Sequence, residues 1–259
     1  MKSMLTGLFL FSLLFFHNLS HPVLGPASDS CDHLPFLFQH KLDDEMEILK
    51  KEPCITISLG ENCFPAIHAS EHKVRIRSFP FDWNITPAQS LYDIFYNDFD
   101  GFLDLKNLVI NGNAVLNKRY NFKFMHDFDV KDWYDGPQGL TPKDKIGEED
   151  YKKICSYYER RIARLYSVFN LNVPLYLFRR VITANEASNL YVLLKTKFPQ
   201  SNFTLVCIQD EKWESPKVWE NRPGIIYIKM AHAVDGTYKS GQRRPEWTQI
   251  FKSLGLIKS

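Results

Sequence analysis

The last third of the chain constrains its fold most. Residues 173–178, 203–208 and 225–230 are short runs rich in branched and aromatic side chains. Between the first two, residues 185–198 carry apolar positions at helical spacing. Strand, helix, strand in that order implies right-handed crossovers and parallel pairing. A fourth run, 55–59, ends in Gly60 and adds another buried strand. The expected architecture is therefore α/β: a three-layer sandwich with a mainly parallel sheet, plus an antiparallel or irregular insertion around 107–147. Ligands of such sheets bind outside the carboxyl ends of the strands. The polar residues just past those ends are Cys63, Arg179, Arg180, Asp210 and His232.

The stretch from Gly60 onward is a strand-to-helix turn, with Cys63 at or near the helix N-terminus. Free N–H groups and the positive dipole end favour a thiolate there. The plain alternative is a buried small apolar residue. A further extended piece, 74–78, leads into Phe79-Pro80-Phe81-Asp82-Trp83. Thr86-Pro87-Ala88-Gln89 then opens a helix, Thr86 as cap and Pro87 at its first position. Leu91, Ile94, Phe95, Phe99 and Phe102 form its apolar face. Asp98 and Asp100 at its end read as a solvated helix terminus rather than a metal-binding pair.

Residues 107–126 read as extended, with Asn111-Gly112-Asn113 as a hairpin turn. Tyr120, Phe122 and Phe124 alternate with polar neighbours, and His126 falls in phase with them. Residues 127–150 form a long loop, rich in Asp, Gly, Pro and Lys. A helix over 148–169 follows, with Tyr151, Ile154, Tyr158, Leu165 and Phe169 inward and Arg160, Arg161 and Arg164 on its solvated side.

Three segments carry a resemblance. Ser58-Leu59-Gly60-x-x-Cys63, Ser78-Phe79-Pro80-Phe81-Asp82-Trp83 and Phe124-x-His126-Asp127 resemble the pattern of a bacterial family of unknown function, labelled as papain-like cysteine peptidases. The likeness runs from about residue 55 to about residue 230. It implies a thiol peptidase in which His126 has a functional role. It also implies a papain fold, α+β with the cysteine helix against an antiparallel half, which conflicts with the three-layer α/β reading. The periodicity decides for the latter.

Size and composition set the outer bounds. A chain of 259 residues has room for one substantial domain. Its net charge of +2, with acids and bases interspersed, lacks the basic footprint of a nucleic-acid binder. Residues 5–16 are an apolar run after Lys2, shorter than the about 20 residues that span a bilayer. This fits a signal peptide over 1–27, with an uncleaved anchor as the alternative. The expected layout is that signal, an N-terminal extension over 28–52, and one α/β domain over 53–259. The product is then secreted or periplasmic and keeps no stable membrane span once the signal is removed. All five cysteines (31, 54, 63, 155 and 207) follow the signal. Two disulfides with a free Cys63, or five buried thiols, are both open. No zinc-type spacing or HExxH motif occurs, so no metal and no cofactor are expected.

The leading functional reading is a cysteine hydrolase, a peptidase or amidase. Cys63 is the nucleophile, His126 the general base and Asp82 its orienting partner, with Asp127 as the alternative orienter. Asn62 is the nearest oxyanion-hole candidate, His232 the second-choice base, and Arg179 and Arg180 binding residues. One alternative is a Rossmann-like transferase whose arginines hold phosphate, with Asp98 or Asp129 on a metal, although no glycine-rich phosphate loop is present. The other is a non-catalytic secreted binding module.

Overall fold

The computed structural model describes residues 35–129, 131–132, 141–142, 145–210, 221–230 and 245–258. Helix α1 (Pro35–Leu49) leads into strand β1 (Ile55–Ser58) and helix α2 (Phe64–Glu71). Strand β2 (Asn84–Ile85), helix α3 (Ala88–Tyr96) and strands β3 (Leu108–Asn111), β4 (Ala114–Asn117) and β5 (Phe122–Phe124) follow. A two-stranded ribbon, β6 (Lys131–Asp132) with β7 (Thr141–Pro142), precedes helix α4 (Glu148–Phe169). The chain closes with β8 (Leu175–Arg180), α5 (Ala184–Lys197), β9 (Phe203–Asp210), β10 (Ile225–Met230) and α6 (Pro245–Ser253).

Four strands form a parallel sheet in the order β1-β8-β9-β10. Alternation along β8 divides the interior. Leu175 and Leu177 join the larger core with α3, α4 and α5, while Phe178 joins a smaller one with Ala69 of α2 and Trp247 and Phe251 of α6. Helices thus cover both faces, as the strand–helix alternation requires. Helix α5 starts with a reciprocal capping box: Thr183 Oγ1 accepts from the Glu186 N–H, and the Glu186 carboxylate from the Thr183 N–H.

The insertion is an antiparallel sheet in the order β2-β5-β4-β3. It starts earlier than residue 107, because Asn84 and Ile85 pair with Phe124 and Lys123. The β3–β4 hairpin turns at Gly112, where φ is +60° and glycine meets no steric penalty. Phe81, Phe102, Phe122, Phe124 and Tyr158 form an aromatic cluster, with ring centroids 4.7–6.2 Å apart.

Several local expectations are corrected. Helix α3 is capped at Pro87, with Thr86 buried outside it, and it ends at Tyr96. Left-handed backbone at Asp98, Phe99 and Gly101 terminates it, so Phe99 and Phe102 reach the core from a turn. Residues 74–78 form no strand; Thr56 Oγ1 bonds the Val74 carbonyl instead. Arg164 is not solvated. It is 3% exposed, donates to both carboxylate oxygens of Glu45 and to the Ser78 carbonyl, and so ties α1 and α4 to the segment before Asp82. Apolar pattern could not reveal this, because an arginine on an amphipathic helix reads the same whether or not a carboxylate arrives to bury it. Cys54, Cys63, Cys155 and Cys207 are free thiols, which removes the two-disulfide arrangement; Cys31 lies outside the described residues.

Candidate active site

The turn from β1 to α2 holds two consecutive residues in left-handed backbone, Gly60 (φ +76°) and Glu61 (φ +79°). They lift the chain off the sheet and set Cys63 at the N-cap of α2, half-buried. This strand–turn–helix placement is how α/β hydrolases expose a nucleophile at a sheet edge. Ser58 Oγ accepts from the Gly60 N–H and Asn62 Oδ1 from the Phe64 N–H, which fixes the turn from both sides. With Oδ1 so occupied, the Asn62 side chain presents its NH2 group as a donor.

The thiol is not pre-ionised. Burial pushes the Cys63 thiol up and Glu61 adds to this; its own backbone N–H and Arg180 pull the other way without reversing it. The depressed value expected at a helix start does not materialise, because burial outweighs the pull of the backbone N–H and of Arg180. The Phe64 N–H is taken by Asn62, and the next residue, Pro65, has none.

The Phe79–Trp83 turn packs directly against this loop. A Cβ on Gly60 would lie 2.9 Å from Thr86 Oγ1 and 3.3 Å from the Phe81 carbonyl, so only glycine permits the approach. Asp82 is 1% exposed. Its Oδ2 accepts from Arg75 Nε (3.0 Å) and Nη2 (2.6 Å) and from the Phe79 N–H (2.8 Å). Its Oδ1 has no hydrogen-bond partner among the described residues. Burial pushes the Asp82 carboxyl up, against the pull of Arg75.

The third motif segment is brought alongside the second. Strand β5 pairs with β2 through Phe124 and Asn84, where the ladder stops: residues 80–83 form a turn and 125–128 a bend. His126 is exposed, and no hydrogen bond joins it to Cys63 or Asp82. Asp127 turns inward, where it accepts from Tyr158 Oη (2.7 Å) and, at 3.5 Å, from Arg161. Tyr158 in turn accepts from Asn84 Nδ2 (2.8 Å), which also bonds the Pro80 carbonyl. Burial, with the neighbouring Asp127, raises the Tyr158 hydroxyl well above its usual range. The chain Pro80–Asn84–Tyr158–Asp127 therefore stitches the second motif to the third.

Two arginines flank the Cys63 turn, one on each sheet face. Arg179 lies on the larger-core side and donates from Nη1 to the Leu59 carbonyl at 3.0 Å. Arg180, on the other side, stands over the Phe64 ring with Nη1 3.7 Å from Glu61. Val181, just beyond, takes φ +48°, rare for a β-branched residue and a mark of backbone held under constraint. His232 lies outside the described residues, as does the side chain of Asp210.

The metal-binding alternatives lose most of their candidates. Asp98 is bonded by Lys197 (2.7 Å) and Tyr166 (2.9 Å), and Asp100 by Arg119 (2.7 Å). Among the described residues no group of three or more His, Cys, Asp or Glu is placed to hold a metal ion. No described helix is long and apolar enough to cross a membrane.

Residues 55–209 match the model of a protein family described as "Putative papain-like cysteine peptidase (DUF1796)". The chain belongs to this family. No curated protein and no solved structure matches it. The matched segment starts at the first residue of β1 and runs to within one residue of the end of β9, so it contains all three motif segments and both arginines.

Proposed function

We propose that this protein is a cysteine hydrolase that cleaves a peptide or amide bond at the carboxyl edge of its parallel sheet, Cys63 being the nucleophile. One observation carries the reading: the three motif segments converge. Gly60 packs on Phe81 and Thr86, and the Pro80–Asn84–Tyr158–Asp127 chain joins that turn to the segment bearing His126.

His126 is the general base in this reading. It is exposed, and its neighbour Asp127 is tied through Tyr158 and Asn84 to the turn that carries Asp82. Because burial keeps the Cys63 thiol protonated at rest, proton removal accompanies attack rather than preceding it. The Sγ–carbon bond forms as the proton passes to the imidazole, and the carbonyl oxygen becomes an oxyanion that the Asn62 NH2 group can meet. The imidazolium then protonates the departing amine as the C–N bond breaks. Water hydrolyses the thioester. Asp82 Oδ1, buried and without a partner among the described residues, is the acceptor assigned to the imidazole in this reading. Export rests on the apolar run 5–16, which lies outside the described residues.

The test is turnover of a fluorogenic peptide and amide panel by the wild-type protein, Cys63→Ala, His126→Ala and Asp82→Asn. Cys63→Ala abolishes hydrolysis, His126→Ala lowers kcat by roughly 10²–10⁴, and Asp82→Asn costs less. Hydrolysis that survives alkylation of Cys63 overturns the assignment.

A further inference from the structure

Beside the Cys63 turn, two buried donor atoms have no acceptor among the described residues: Arg179 Nε and Thr86 Oγ1. Arg179 is 1% exposed and protonated at neutral pH, yet its one hydrogen bond among the described residues goes to the Leu59 carbonyl. Its Nε has no partner, and no carboxylate of the described residues lies within ion-pair distance of it. Glu61 and Glu186 are the acids whose charge it senses; Glu61 stands with Arg180, and Glu186 is held in the capping box of α5. The second donor is the Thr86 hydroxyl, 0% exposed and without a partner among the described residues. These groups flank a single dipeptide. Arg179 bonds Leu59, and Thr86 is the residue that a Cβ on Gly60 would strike.

A buried guanidinium without a carboxylate is costly, and other arginines of the described residues that lose solvent have one. Arg164, equally buried, has both oxygens of Glu45; Arg75 has Asp82. Arg179 departs from that pattern at the carboxyl edge of the sheet, where α/β proteins bind ligands. A guanidinium fork and a hydroxyl suit a small planar oxyanion.

We propose that Arg179 and Thr86 form the seat of a substrate carboxylate, so that the hydrolase takes substrates bearing a carboxylate close to the bond it cleaves. The substrate class rests on the hydrolase reading; the carboxylate seat does not. Arg180, across the turn and near enough to act on the Cys63 thiol, adds positive potential on the approach.

Alkylation rates of Cys63 test this without substrate. Iodoacetate carries the carboxylate and iodoacetamide, its neutral isostere, does not. On the intact protein, the ratio of iodoacetate to iodoacetamide rates at Cys63 should exceed that for glutathione by about tenfold or more, the worth of one charge-assisted pair. The iodoacetate rate should saturate with concentration. Acetate should compete with iodoacetate and leave iodoacetamide unaffected. Arg179→Lys should lower the ratio and Arg179→Met should return it to the glutathione value; Thr86→Val should lower it while keeping the side-chain volume. A wild-type ratio equal to that of glutathione, without saturation or acetate competition, overturns the seat even if neither arginine variant folds. A raised ratio that persists in folded Arg179→Lys and Thr86→Val, and falls only in Arg180→Gln, overturns it in favour of diffuse attraction by Arg180. A protein that shows the raised ratio but hydrolyses no peptide or amide keeps the seat and loses the hydrolase reading.

Discussion

Gly60→Ala probes the contact on which the convergence of the motifs depends. Two costs add. At φ +76° an alanine pays the left-handed penalty of roughly 1–2 kcal/mol. Its Cβ would also lie 2.9 Å from Thr86 Oγ1, 3.2 Å from Thr86 Cβ and 3.3 Å from the Phe81 carbonyl oxygen. Thr86 and Phe81 are fully buried and cannot swing aside, so overpacking adds about 1–3 kcal/mol. The expected loss is about 2–5 kcal/mol. Urea unfolding measures it as a lowered midpoint at unchanged m-value. In a Thr86→Ala background the closest atom is gone while Thr86 Cβ and the Phe81 oxygen remain. Gly60→Ala should then cost about 1 kcal/mol less than in the wild type, a coupling typical of residues in contact. Losses that are equal in the two backgrounds, or a total below about 1 kcal/mol, would show that the two motif segments do not touch as described.

Three further outcomes follow from the burial and pairing of particular groups. Labelling of Cys63 by a maleimide should rise with pH to a midpoint above 9.0, because burial pushes the thiol up, with Cys155 and Cys207 silent until unfolding; a midpoint near neutrality would mean a resident thiolate. Glu45→Gln should cost about 3 kcal/mol in urea unfolding, because it strips Arg164 of its carboxylate, and Glu45→Met with Arg164→Met should cost less than Glu45→Gln alone. Burial raises the Cys207 thiol to about 12, against 9.0 for an ordinary one. The stability held by the protonated thiol is therefore complete below pH 9.0 and is lost as pH climbs toward 12, so Cys207→Ala should flatten the alkaline limb of the stability profile, and an unchanged limb would refute the assignment.

Elements whose formation depends on local apolar pattern were legible in the sequence. Helix α4 and strand β10 have the predicted bounds, and the parallel order brings Arg179 and Arg180 to the edge that carries Cys63, because alternation of strand and helix leaves one handed solution. The misses share a cause. Thr86 looks like a helix cap, but its neighbour Gly60 draws it into the core; Arg164 looks solvated, but Glu45 arrives from a helix more than a hundred residues earlier. Arg75 and Tyr158, which anchor Asp82 and Asp127, stand outside every motif, and nothing local to either marks it as a partner. Pairings of this kind belong to the tertiary structure, where periodicity carries no information.

The polar residues of the three motifs divide into two kinds, and the division orders the chemistry. Ser58, Ser78 and Asp127 are consumed in holding the turns: each side chain bonds a backbone group or another side chain within the fold. Asp82 is half consumed, with Oδ2 fixing Arg75 and the Phe79 N–H while Oδ1 remains. Cys63, His126 and the NH2 group of Asn62 take no part in that scaffold, and Arg179 touches it through one carbonyl. The residues with reactive capacity left over thus lie on or beside turns that other motif residues make rigid. A chain selected only for folding would have little reason to set left-handed backbone at Gly60, Glu61 and Val181, a buried guanidinium with no carboxylate among the described residues and an exposed histidine along connected segments. The proposed hydrolase gives these departures a common use, as supports for a thiol, a base and an anion seat.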